Sequence, residues 1–428
     1  MKIRDFGSSP LRWLFLWTLL TLSTPASAYL DPGSGNALVC LAVSLFGAFV
    51  YYLKKVFWKV VGLFSGRRQE IRKDSEIVIF SEGKNYWLTF KPIVKSLIER
   101  KVHFRYLTMD VEDPALVIDN EFMHSRYVGE GSVGFGRIAA VQADLMLATT
   151  PNIGCEGFPL PRPRKVRQLV HVWHSVCDTA FYQLGALDHY DVALTVGDWV
   201  EESIRKVENA RGLKPKRVVA VGVPYLDSLK ESIRGFAEVK ANPPTVLVAP
   251  SWGTKNCLKV YGMNFLTELA NEGYQVIVRP HPQSFKVEFD FIEKLKEVLT
   301  PLKNCYVDDN PDGSVSMRKA DLLISDKSSI RFDFAFLYER PVVTLDIPDE
   351  DLKQYEASLI GRLWEEDQAS KIGIKITRSE SSLIVESVRK ALEMKAEDIT
   401  LIRERSIVNW GCAGEAVSDW LISQKKNN

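Results

Sequence analysis

The sequence predicts a two-domain α/β protein, two doubly wound units in tandem behind an N-terminal signal or membrane segment. Three observations predict it. Short apolar strands alternate with helical stretches from residue 75 onward, a Pro-Pro break at 239–244 divides that alternation, and two apolar runs precede it. The chain has 428 residues, 46% hydrophobic and 25% charged, with 55 Lys+Arg against 54 Asp+Glu. This composition excludes a disordered chain, a collagen and a polytopic transporter, and the near-zero net charge argues against a nucleic-acid binder.

The first apolar run, Trp13 to Leu22, follows Lys2, Arg4 and Arg12 and ends before Ala26-Ser27-Ala28. It is short for a membrane span and has the layout of a signal peptide, so residues 1–28 are expected to be a signal peptide or first membrane segment. The second run, 36–53, carries no charge and is expected to be a transmembrane helix; a buried core helix is the plainer alternative. Seven basic residues follow within 54–74: Lys54, Lys55, Lys59, Arg67, Arg68, Arg72 and Lys73. They read as a membrane-proximal linker on an anionic inner leaflet and place the body in the cytoplasm by the positive-inside rule. Six cysteines with no CxxC spacing agree with a reducing compartment and give no zinc site.

The first unit, 75–238, opens with a strand at 76–80, a helix over 86–101 and a strand at 103–107. Strands at 144–148, 168–173, 191–196 and 218–221 follow. The second unit, 245–428, has strands at 245–249, 275–279, 321–325 and 341–346. Its helices are expected at 261–273, 286–299, 328–338, 380–395 and 412–424. Such spacing means parallel sheets covered on both faces. Gly129 to Gly136 is glycine-rich without a dinucleotide-binding spacing and is expected to be a mobile loop. Asp308 to Asp312 is an acidic turn-rich stretch that resembles a metal cluster only in composition; no metal site is expected.

Ligands of open α/β sheets bind beyond the carboxyl ends of strands. The residues placed there are His174-Ser175, Gly222 to Asp227, Pro250 to Gly253, Arg279 to Pro282 and Asp326 to Ser329. Ser328 and Ser329 stand where a strand hands over to a helix, and a helix N-terminus attracts anions. Plain helix capping by Ser328 is the commoner event for such a segment alone.

In order and spacing, Trp173-His174-Ser175, Ala249-Pro250-Ser251-Trp252, Arg279-Pro280-His281-Pro282, Asp326-Lys327-Ser328-Ser329 and Phe332-Asp333 resemble the CDP-glycerol glycerophosphotransferases, the teichoic-acid polymerase and primase type. The family pattern has Trp-His-Gly, Ala-Pro-Thr-Trp, Arg-x-His-Pro and Asp-Tyr-Ser-Ser, then Phe-Asp. Ser175, Lys327 and Gly253 depart from the usual Gly, Tyr and Arg. The resemblance covers about residues 165–350. It implies a GT-B fold, two Rossmann-like domains facing a cleft, acceptor on the first and CDP-alditol donor on the second.

It also implies transfer of glycerol phosphate from CDP-glycerol, a co-substrate rather than a cofactor, to a lipid-linked or glycan acceptor at the bacterial cytoplasmic membrane, with CMP released. His174 is then the expected base and His281 its catalytic partner on the second domain. Arg279, Ser328, Ser329, Asp326 and Asp333 are the expected donor and phosphate set, with a surface ion pair the alternative for Arg279 and capping for the two aspartates. Inner-membrane lipids are expected partners and nucleic acid is not. A GT-B glycosyltransferase using a UDP-sugar, or an inactive membrane-tethered nucleotide-binding module, would share much of this pattern.

Overall fold

A computed structural model describes residues 77–426 except 236–241, 311, 348–351 and 362. The expected signal segment, the span 36–53 and the basic linker 54–74 lie outside the described residues, and among those described no helix is long and apolar enough to cross a membrane.

The first sheet has seven parallel strands: β1 (Ile77–Ser81), β2 (Phe104–Thr108), β3 (Met123–Tyr127), β4 (Gln142–Ala148), β5 (Lys165–Val172), β6 (Val192–Thr195) and β7 (Arg217–Ala220). Their order is β3-β2-β1-β4-β5-β6-β7. The second sheet has six: β8 (Thr245–Ala249), β9 (Gln275–Val278), β10 (Cys305–Val307), β11 (Leu322–Ser325), β12 (Val342–Leu345) and β13 (Gly373–Ile376). Their order is β10-β9-β8-β11-β12-β13, again all parallel. The central strands are buried from end to end, Ile77 to Ser81 in one sheet and Leu322 to Ser325 in the other, as parallel strands covered on both faces require.

Chain direction across each sheet reverses once, between β1 and β4 in the first and between β8 and β11 in the second. These are the two switch points, where helices leave to opposite faces and open a crevice beyond the strand ends.

Three strands join those expected: β3, β10 and β13. The glycine-rich segment is not a mobile loop. It follows β3 and forms a helix, Gly131–Ala139, entered through Glu130. Gly134 is required there, because a Cβ would sit 2.3 Å from the Gly129 carbonyl oxygen. The last helix, Ala413–Lys426, returns to the first sheet rather than staying on the second. Val417, Trp420 and Leu421 share a core with Ile93 and Leu97 of the helix Trp87–Glu99. Asp227 accepts a hydrogen bond from the Gly414 N–H at 2.8 Å and so secures the start of that helix. This gives the aspartate of the Gly222–Asp227 motif a structural task.

Candidate active site

The second switch point gathers most of the residues expected to hold a donor. Ser251 and Trp252 follow β8, His281 follows β9, and Asp326 to Ser329 follow β11; β9, β8 and β11 are neighbours. Ser329 occupies the N-cap of the helix Ile330–Tyr338, yet its side chain makes no capping bond. Beneath this helix start lies Arg331, 1% exposed, donating through Nε to the Ser328 carbonyl at 3.1 Å. The site therefore combines a helix N-terminus, hydroxyls and a buried guanidinium, which is the chemistry of an anion site. Arg331 was not legible as a site residue because it sits inside an apolar helical run.

His281 is exposed, and its Nδ1 accepts the Gln283 N–H at 3.1 Å. The ring lies 6.3 Å from that of Trp252, itself 54% exposed. Partial burial lowers the His281 pKa, with Glu288 opposing.

Asp326 is fully buried and is taken up by the loop after β8. Its Oδ2 accepts from the Ser251 N–H (2.9 Å), the Ser251 hydroxyl (3.0 Å) and the Cys257 N–H (3.0 Å). It fixes the loop that carries Trp252. Arg279 is committed to Asp308 at 2.8 Å, with both side chains 11% exposed. Its partner belongs to the acidic turn, whose Asp308, Asn310 and Asp312 side chains each accept a backbone N–H two residues on. That turn is thus held by its own backbone, and no metal-holding group of three His, Cys, Asp or Glu occurs among the described residues. Lys327, in place of the family's tyrosine, lies 3.7 Å from Asp346 and 3.8 Å from Glu366.

Asp333 stands in the first turn of the Ile330–Tyr338 helix. It is buried on the inner face of Ile330–Tyr338, and burial pushes its carboxyl up to about 7. Glu365 has the same character: burial raises it to about 7, although Oε1 accepts the Asp178 N–H at 2.6 Å. Together with the Trp199–Trp364 stack at 4.0 Å, that bond ties the 364–369 helix of the second half to the first half. Glu365 carries no local motif; its partner is 187 residues away in sequence.

On the first sheet His174 follows β5. Burial lowers its pKa, and its Nδ1 has no hydrogen-bond partner among the described residues. The Tyr86 ring meets it edge-on at 5.5 Å. Glu82, directly after β1, was missed by the sequence reading. The strand-end rule, extended to the first strand, would have found it.

Comparison with known proteins bears on the family and the fold. The family model for CDP-glycerol:poly(glycerophosphate) glycerophosphotransferase matches residues 182–407, more than half of the chain; His174 precedes the matched stretch. No curated protein sequence matches significantly. Among solved structures, the wall teichoic acid polymerase TagF, in a histidine-to-asparagine variant soaked with CDPG, has TM-score 0.51 at 14% identity, covering 90% of this chain and 98% of its own. A putative UDP-N-acetylglucosamine 2-epimerase from Listeria monocytogenes has TM-score 0.57 at 11% identity, covering 83% and 98%. The UDP-GlcNAc 2-epimerase of Methanocaldococcus jannaschii, with UDP-GlcNAc and UDP, has TM-score 0.55 at 12% identity, covering 81% and 99%. At these identities the likeness is one of fold, the two-domain GT-B arrangement.

Proposed function

The chain belongs to the CDP-glycerol:poly(glycerophosphate) glycerophosphotransferase family, and from that premise we propose that it moves a glycerol phosphate, or a related alditol phosphate, from a CDP-activated donor to a hydroxyl of a cell-envelope glycan, glycolipid or polymer. It is an enzyme of the CDP-glycerol glycerophosphotransferase type. The observation that carries the donor assignment is the match over 182–407, which takes in both His281 and the Ser328–Ser329 helix start.

In the proposed reaction the acceptor oxygen bonds to the β-phosphorus of the donor, and its proton passes to His174. The bond from that phosphorus to the bridging oxygen breaks, and CMP leaves with the electron pair. A base must enter neutral, and burial holds His174 below the ordinary imidazole range. On the donor side, Ser328, Ser329 and the helix N-terminus receive the diphosphate, with the Arg331 charge behind them. His281 has its Nδ1 occupied by the Gln283 N–H, so the neutral ring carries its hydrogen on Nε2 and donates to a phosphate oxygen. Asp326 serves the donor indirectly, through the Trp252 loop.

The uncharged run 36–53 and the basic residues behind it support a membrane-held enzyme with its body in the cytoplasm. A relation to teichoic-acid polymer synthesis is supported by the family and by the TagF likeness. The test is an assay of the purified protein with CDP-glycerol, CDP-ribitol and UDP-sugars in parallel, following nucleotide release. Release from a CDP-alditol supports the reading; release from UDP-sugars alone moves the chain to the glycosyltransferases.

A further inference from the structure

The switch point of the first sheet gathers polar side chains around His174 that the reaction above does not yet use. Glu82 follows β1, Thr149 and Thr150 follow β4, and His174 lies just past β5; β4 pairs with both β1 and β5. Thr149 and Thr150 are fully buried. The Thr149 hydroxyl has no hydrogen-bond partner among the described residues, and neither does His174 Nδ1, while the Thr150 hydroxyl faces the Glu82 carboxyl. Buried polar atoms are nearly always paired in native proteins, so unpaired ones gathered at neighbouring strand ends call for an explanation. The Glu82 carboxyl lies beside the hydroxyls of Tyr86 and Thr150, and burial raises it above the usual carboxylate range. Burial also pushes the Tyr86 hydroxyl up to about 12, so it stays protonated and able to donate.

The two switch points therefore differ in chemistry. The second offers helical N–H groups, two serines and a buried guanidinium, suited to an anion. The first offers one carboxyl, three hydroxyls and a neutral imidazole, with no cation among them. A group rich in both donors and acceptors complements such a set, and a polyol is that group.

We propose that Glu82, Tyr86, Thr149 and Thr150 form the acceptor subsite, which holds the neutral terminal polyol of the acceptor so that one of its hydroxyls meets His174. The inference rests on the reading of the chain as an alditol-phosphate transferase and names the substrate class of that site. Glu82 accepts from hydroxyls adjacent to the attacking one, and the Thr149 hydroxyl gains the partner it lacks in the free protein.

The experiment uses the full chain, an octyl-capped glycerol phosphate dimer as acceptor probe, and octyl phosphate as the control without a polyol. Binding is measured by calorimetry and the acceptor KM by CMP release, in wild type, Glu82→Gln and Thr149→Val. Each substitution removes a hydrogen bond to the probe and is expected to weaken its binding and raise acceptor KM about tenfold. CDP-glycerol affinity should stay within about twofold of wild type, the size of effect expected when no donor contact is lost. Thr149→Val should melt at or above the wild-type temperature, because it deletes a buried hydroxyl that has no partner among the described residues. Unchanged acceptor affinity in both variants overturns the proposal. So does a lowered melting temperature of Thr149→Val with donor and acceptor affinity falling together, or equal binding of octyl phosphate and the dimer. Failure of the wild type to release CMP from any CDP-alditol counts instead against the enzymatic reading, and the calorimetric comparison still decides the subsite.

Discussion

The Gln283 backbone N–H donates to Nδ1 of His281 at 3.1 Å, and this bond sets which nitrogen the histidine presents. With Nδ1 an acceptor, the neutral ring carries its hydrogen on Nε2. That suits a hydrogen-bond donor to phosphate better than a general base. His174 has no such bond at its Nδ1 and is held neutral by burial. The division of labour between the two histidines follows from their surroundings.

His281→Ala should therefore weaken CDP-glycerol binding and also lower kcat, since the contact strengthens as charge develops on the leaving phosphate. Replacing Ser328 and Ser329 together by Ala should be milder, because the helical N–H groups remain. Calorimetric titration of both variants with CDP-glycerol checks the order. Unchanged affinity in both would remove the second domain from donor binding.

His174→Ala should lower transfer by about 10²–10⁴-fold while nucleotide binding survives, as befits loss of a base acting on the acceptor. The same residue governs the acid limb of the pH profile. Burial lowers its pKa in the folded protein, so the acid limb of kcat/KM should fall at a lower pH than an ordinary imidazole would give. An acid limb that persists unchanged in the variant would identify another base.

Asp326→Ala strips three hydrogen bonds from the Ser251–Cys257 loop and leaves buried N–H groups unpaired. The expected cost is roughly 2–4 kcal/mol of unfolding free energy. Asp326→Asn should cost much less, because its amide oxygen can still accept from Ser251 and Cys257 while the NH2 takes the side now without a partner. Denaturant unfolding of the two variants, with donor KM, tests this; equal destabilisation would mean that charge rather than acceptance matters.

Asp333 gives a stability prediction with a definite sign. Burial raises it from 3.8 to about 7. Between those values the unfolded chain ionises while the folded protein keeps the proton, so its contribution to stability is lost as pH rises across that window. Asp333→Asn cannot ionise and escapes the loss. Its melting temperature should exceed that of wild type at pH 8, with the gap closing toward pH 4. A variant that melts lower than wild type at pH 8 would show that the carboxylate is stabilised by a partner.

Much of this site could be read from strand ends alone. His174, His281 and Ser328–Ser329 each follow a run of buried aliphatic residues, and such runs announce themselves locally. What escaped was set by distant contacts. β3 is an edge strand whose Met123–Tyr127 residues alternate with exposed His124 and Arg126, so no apolar run marks it. The helix Gly131–Ala139 is glycine-rich because Gly134 lies against Gly129, a demand of packing rather than propensity. The last helix returns to the first sheet through Ser418 and Gly414, whose partners Ile93 and Asp227 lie in elements far away in sequence. Asp326 and Arg279 were placed in the right loops, but their bonds to Ser251 and Asp308 depend on how neighbouring loops meet.

The most direct measurement is ³¹P NMR of the full chain turning over CDP-glycerol with a glycerol phosphate acceptor. Attack at the β-phosphorus predicts two new signals in equal amount, the phosphomonoester of CMP and a phosphodiester in the acceptor. Appearance of a nucleoside diphosphate instead, with no new phosphodiester, would mean that the bond broken lies on the carbon side of that phosphorus, and would contradict alditol-phosphate transfer.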